Sequence, residues 1–283
     1  MRVLILNFRS LNYWRWLLAH FLSAVGVIAI FMEIMNLAFG KLPASGWLLA
    51  SVVFLSALIY GIAKTWPRAI HEKYTISNTS ISIMVGDLFT QDCSIVVGTC
   101  DTFDTATPKI VAKNSVQGQA QERLWNGDTT QLDREIDEAL VGINPVGTIR
   151  KDGKKDKYQV GAVAKLKIPP NNIYFLAYCK MDEKNQTHST PDWIWESLSS
   201  LWGEIRQYEN GAPVAMPVFG GKFARVSNQI TTPDMIRLIV MSFIFASRGE
   251  RICDELRIVV QKSEFSNLDR AELHSILHSL KAK

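Results

Sequence analysis

The sequence predicts an N-terminal α-helical transmembrane hairpin followed by an α/β domain whose mixed β-sheet is sandwiched between helices. Three observations carry this. Residues 14–35 and 47–63 are apolar runs separated by a polar break at 40–46. From residue 74 onward, short β-rich runs alternate with helical patterns, the order that builds layered α/β folds. Glycine turns follow two of the apolar strands, at Gly98 and at Gly220-Gly221, where such folds present ligand loops.

Composition narrows the function classes. The 283 residues hold one domain of ordinary size plus a smaller part. A net charge of +4, with no Lys/Arg stripe carrying interleaved aromatics, argues against nucleic acid. Cys93, Cys100, Cys179 and Cys253 share no CxxC or Cys/His spacing, so neither zinc nor a disulfide framework is expected. They read as reduced cytoplasmic thiols. Three fill the core, and Cys100, in a polar loop, is the one placed to touch a ligand.

Each N-terminal run reaches about 25–30 Å as a helix, close to the hydrocarbon thickness of a bilayer. Trp14, Trp16, Trp47, Tyr60 and Trp66 lie near the ends, where amphipathic rings prefer the interface. Arg2, Arg9 and Arg15 precede the first run, and Lys64, Arg68 and Lys73 follow the second, with Lys41 alone between. The positive-inside rule places the N-terminus and the large domain in the cytoplasm, on the inner membrane. The first run is too long for a cleaved signal peptide. Neither run has the amphipathic face of a buried core helix. Glu33 either snorkels to the interface or faces a bundle or pore.

The boundaries that follow are a tail at 1–13, the hairpin at 14–66, a charged linker at 67–73 and the α/β domain at 74–283. Residues 74–85 read as a hairpin or edge strand, Gly86-Asp87 as a turn, 88–92 as a helical turn and 93–97 as a buried central strand. A polar loop runs from Gly98 to Thr107. Residues 108–111 begin a short helix; 119–125 and 133–141 are helices. Strands are expected at 148–149, 158–167 and 172–180, with 151–157 a solvated charged turn. An amphipathic helix follows at 192–208, a strand at 212–218, a helix at 235–246, a strand at 255–260 and a terminal helix at 268–280. The run at 235–246 is too short to span a bilayer.

Chemistry concentrates after the first central strand. Asp101 and Asp104 stand in the loop Thr99-Cys100-Asp101-Thr102-Phe103-Asp104. Two carboxylates there can act as a general base pair, cap the loop, or accept hydrogen bonds from a ligand's hydroxyls or amine. The ligand-accepting reading is favoured. For Asp87 the competing role is an Asx-turn or helix cap. No histidine has a Ser or Cys partner, so no catalytic group is expected.

Gly86-Asp87-Leu88, Asp92 and the strand Ser94-Ile95-Val96-Val97 resemble the opening of a macro domain. Ser115-Val116-Gln117-Gly118-Gln119 resembles that family's first glycine turn, and Met216-Pro217-Val218-Phe219-Gly220-Gly221-Lys222 its second. The likeness covers about residues 74–280. With two spans in front, the whole resembles the membrane-anchored macro-domain effectors (ThsA-like) of type II Thoeris anti-phage defence.

The resemblance implies a non-enzymatic sensor without cofactor or metal. In that family a TIR-domain partner (ThsB-like) releases an ADP-ribose-derived signal, a histidine conjugate. The macro domain binds it, and the membrane segments, as a homo-oligomer, disrupt the membrane in abortive infection. It implies that Asp87 accepts from the adenine amine and that Leu88 offers a backbone contact. Ser115, Val116, Gln117, Gly118 and Gln119, with Phe219, Gly220, Gly221 and Lys222, hold the diphosphate. Gly98, Thr99, Cys100, Asp101, Thr102, Phe103 and Asp104 line the distal ribose, and Phe265 stacks on adenine. Hydrolytic macro domains usually carry Asn residues in the first loop. Asp101 and Asp104 stand in that loop here, which leaves an ADP-ribosyl hydrolase as the alternative and a passively anchored binding module as another.

Overall fold

The computed structural model describes residues 11–40, 46–65, 69–219, 230–265 and 268–281. The chain divides into two compact units, Met1–Arg68 and Ala69–Lys283.

In the first unit, α1 (Leu11–Phe39) and α2 (Gly46–Thr65) are 29 and 20 residues long. Both are long and apolar enough to cross a membrane. Gly40 takes φ +78° directly after α1, and its N–H donates to Asn36 O, closing the helix in the left-handed conformation glycine permits. The helices touch along one narrow seam. Gly61 lets α2 approach Leu17, whose side chain lies where a Cβ would be 3.1 Å away. Phe21 meets Phe54 edge-on at 5.2 Å. Most other large apolar side chains of the pair are exposed, Val27, Phe31, Leu37, Trp47 and Leu55 among them. Apolar side chains left outside a helix pair are what a lipid environment requires and water penalises.

In the second unit a sheet runs in the order β1 (Ile70–Tyr74), β2 (Thr79–Val85), β10 (Glu255–Val260), β9 (Val214–Pro217), β3 (Ser94–Cys100), β7 (Asn171–Met181), β6 (Val163–Ile168), with β8 (Thr187–His188) on the end of β7. Strands β2, β10, β9, β3 and β7 are mutually parallel; β1 and β6 are antiparallel edges. A small second sheet pairs β4 (Gly147–Thr148) with β5 (Asp156–Lys157). One face packs on α5 (Pro191–Tyr208), α6 (Thr232–Gly249) and α8 (Arg270–Ser279), through Leu198, Trp202, Phe243 and Leu277. The other packs on α3 (Val116–Leu124) and α4 (Thr129–Ala139), through Ala120, Leu132 and Ile136. The central strands are apolar on both sides because both sides are covered.

Several expectations change, and the strand expected at 158–167 begins only at Val163. The linker expected at 67–73 is strand β1 from Ile70 on. Ile70, Glu72 and Tyr74 point inward and His71 and Lys73 outward. Glu72 hides the alternation, a buried carboxylate facing His274, His278 and Lys281. The helix expected at 108–111 is a turn, with Ile110 and Val111 both donating to Ala106 O. The short helix α7 (Lys262–Phe265) adds an element after β10.

Candidate functional site

Parallel order brings the carboxyl ends of β2, β10, β9, β3 and β7 to one edge of the sheet. The segments leaving those ends carry most of the candidate residues. Phe265 lies on α7 just after β10, 5 % exposed and packed in the core. Gly220, Gly221 and Lys222 lie outside the described residues.

Asp87 follows β2 and caps the 3-10 turn Leu88–Thr90, accepting from Phe89 N at 3.0 Å. The Asx-type cap is therefore present. The carboxylate remains half-exposed and also meets Arg123, whose Nη1 lies 2.8 and 2.6 Å from its two oxygens. Leu88 turns its side chain into the core, 6 % exposed, so only its backbone can serve a ligand.

Gly98 lies inside β3, which runs on to Cys100. A Cβ there would be 2.6 Å from the Tyr178 ring and 3.1 Å from that of Phe219. These two rings stack at 4.9 Å, so Gly98 is the floor on which they rest. Phe219 is buried by this stack. Beyond the strand the chain turns sharply, with Phe103 in the left-handed region at φ +51° and its ring edge-on to Tyr158 at 5.5 Å. A non-glycine residue held there marks a loop fixed by its surroundings.

That loop separates the two carboxylates. Asp104 is sealed inside: Lys151 Nζ lies 2.6 Å from Oδ2, Thr102 Oγ1 donates to the same oxygen, and Lys154 N donates to Oδ1 at 2.9 Å. Cys100 joins through Thr102 at 3.2 Å, and burial pushes its thiol pKa up, so it is a poor nucleophile. Thr102, Phe103, Asp104 and Cys100 are buried and hold the loop's shape from within. Lys151, expected in a solvated turn, is buried by the same pairing. Thr99 is buried too, its hydroxyl without a hydrogen bond among the described residues.

Asp101 is equally buried and differs in its partners. Its Oδ1 accepts from Met181 N at 2.7 Å, while Oδ2 lies 3.2 Å from Lys157 Nζ without an aligned hydrogen bond. It borders a cavity of about 470 Å³ lined by Lys157, Tyr158, Lys180, Trp193 and Glu196. Lys180 Nζ sits 4.1 Å from the Trp193 ring centre. Burial raises the Asp101 pKa, against the opposing pull of the Met181 N–H and Lys157. A pocket bordered by the buried Asp101 carboxylate, the Glu196 carboxylate, two ammonium groups and two aromatic walls can hold a polar organic group carrying both donors and acceptors.

Ser115-Val116-Gln117-Gly118-Gln119 is the first turn of α3 with its cap, a helix start where a separate glycine turn was expected. Ser115 Oγ accepts from Gly118 N at 3.0 Å. A Cβ on Gly118 would lie 2.3 Å from Ala112 O, so only glycine lets the preceding turn fold onto the helix. Gln117 Nε2 donates to Asp104 O at 2.6 Å, and Gln119 Nε2 to Asn114 O at 3.1 Å. The helix N-terminus supplies backbone donors and a positive dipole end, the ordinary setting for an anion.

The sequence reading missed Arg123, Lys157, Lys180 and Trp193. None lies in a glycine-rich loop; they reach the sheet edge from α3, β5, β7 and α5. Among the described residues no cluster of three or more His, Cys, Asp or Glu side chains is arranged to hold a metal.

The family model described as "Thoeris protein ThsA, Macro domain" matches residues 81–261. The chain belongs to that family. Its α/β unit is a macro domain. Solved structures with a similar fold include a mutant Oceanobacillus iheyensis macrodomain with ADPR, at 13% identity and TM-score 0.48, covering 74% of this chain and 96% of that one. The same bacterium's macrodomain with ADP is similar at 13% identity and TM-score 0.48, covering 75% and 95%. No curated protein matches the chain.

Proposed function

We propose that the chain is a membrane-anchored sensor–effector whose macro domain binds an ADP-ribose-derived signal. The observation that carries this is the convergence of three features at one sheet edge: the half-exposed Asp87 carboxylate, the capped N-terminus of α3, and the Asp101 cavity. They suit a base, a diphosphate and a substituted ribose in that order.

Binding without turnover is favoured over hydrolysis. Asp104 has its oxygens taken up by Lys151, Thr102 and Lys154, so it is unable to serve as one of a pair of general bases. Asp101 borders the cavity together with Glu196, and its own side chain is buried. The carboxylates of Asp101 and Glu196 with the ammonium groups of Lys157 and Lys180 suit a substituent bearing both an amine and an acid, such as the histidine of the family's conjugate. A TIR-domain protein is the expected source of that signal.

The two apolar helices are the effector part. Lys64 and the basic residues flanking the helices support, by the positive-inside rule, a macro domain on the cytoplasmic side of the inner membrane. Ligand binding alters the association of several hairpins, which permeabilises the bilayer. The test uses liposomes carrying the full chain and an entrapped dye. Addition of histidine-ADP-ribose should release dye from the wild type and not from Asp101→Ala. Release that ignores the ligand would sink the sensor reading.

A further inference from the structure

The macro-domain motifs leave Arg123 without a role. It lies in the last turn of α3, the helix whose N-terminus is the candidate diphosphate anchor. Its guanidinium is fixed on two sides. Nη1 alone reaches both oxygens of Asp87, and the guanidinium carbon sits 4.9 Å from the centre of the Phe89 ring. Nη2 and Nε make no hydrogen bond to any described residue. The guanidinium side chain is 38% exposed and the carboxylate 45%. A guanidinium carries five N–H donors, so a fixed set of unspent donors lies beside a carboxylate acceptor at the place where a base would enter.

We propose that Arg123 is a second base-reading residue: it donates to a ring nitrogen of adenine while Asp87 accepts from the exocyclic amine. The inference rests on the ADP-ribose reading of this site. Adenine presents an N–H donor next to a ring-nitrogen acceptor, and the Asp87–Arg123 pair is the complementary acceptor and donor. Phe89 keeps the guanidinium plane in place, so little freedom is lost when the base arrives. One short helix thereby serves both ends of the ligand, with backbone donors at its start and a side-chain donor at its end.

A double-mutant cycle tests this on the full chain in detergent micelles, by calorimetric titration with ADP-ribose. The wild type, Arg123→Gln, Asp87→Ala and the double variant are compared. Arg123→Gln should weaken binding about 10-fold, the scale of one charged hydrogen bond. It should leave the melting temperature unchanged, because a half-exposed ion pair adds little to folding. The loss should persist in the Asp87→Ala background. Unchanged or tighter binding by Arg123→Gln would overturn the proposal and make Arg123 a cover over Asp87. A loss that vanishes in the Asp87→Ala background would also overturn it, since Arg123 would then act only by orienting Asp87. Failure of the wild type to bind ADP-ribose at all would overturn the nucleotide reading itself, and this inference with it.

Discussion

Lys151 Nζ lies 2.6 Å from Asp104 Oδ2, and the two side chains are 0% and 1% exposed. This ion pair joins the loop after β3 to the segment between β4 and β5. Breaking a buried pair strands one uncompensated charge, which costs about 3–5 kcal/mol. Lys151→Ala should lose that much stability by urea denaturation. Combining Asp104→Leu with Lys151→Met should recover part of it, because no buried charge is then left.

The same pair shows where sequence reading stops. Its members are 47 residues apart and sit in stretches that look alike to a solvated turn. Elements fixed by local pattern were legible: β10 falls at the expected 255–260, and α5 begins one residue before the expected 192, at Pro191. Strand β1 was hidden because Glu72 occupies an inward position, stabilised by groups on α8 and beyond that local pattern cannot reveal. In the site, the Asx-type cap at Asp87 was readable from its own motif, whereas the stretch 115–119 reads as a glycine turn and is the capped start of α3. The sorting of Asp101 from Asp104, and the arrival of Arg123, Lys157 and Trp193, depend on packing between distant segments.

Gly118 predicts a second outcome. Its missing Cβ would meet the Ala112 carbonyl, a backbone atom that cannot swing aside. Gly118→Ala should cost about 1–3 kcal/mol, the range for overpacking, and should displace the N-terminus of α3. Thermal melting and ADP-ribose titration of the same sample should both show the loss.

Asp101 predicts a pH-dependent one. Burial holds its folded pKa above the ordinary carboxylate value, even with Lys157 and the Met181 N–H opposing. A raised folded pKa means that its contribution is fully present below the unfolded value and is lost as pH rises through the folded one. Asp101→Asn keeps an acceptor for Met181 N–H and does not titrate. It should therefore gain stability relative to the wild type as pH rises from 4 to 7, while weakening ligand binding. Melting curves across that range check it; a difference independent of pH would mean that Asp101 titrates as it does in the unfolded chain.

The hairpin predicts a fourth. Leu55 and Ile59 are exposed on α2, where a lipid-facing position would be. Arginine near the centre of a span costs about 2.5–3.5 kcal/mol per residue on insertion scales. The Leu55→Arg, Ile59→Arg double variant should leave the carbonate-resistant membrane fraction, in which the wild type should be found.

The most direct measurement is calorimetric titration of the full chain in micelles with ADP-ribose, histidine-ADP-ribose and NAD, followed by mass spectrometry of the recovered ligand. Tight binding of the histidine conjugate, with the ligand recovered intact, is the predicted result. Recovery of free ADP-ribose and histidine would contradict the account and make the macro domain a hydrolase; no binding of any of the three would remove the signal-sensing role altogether.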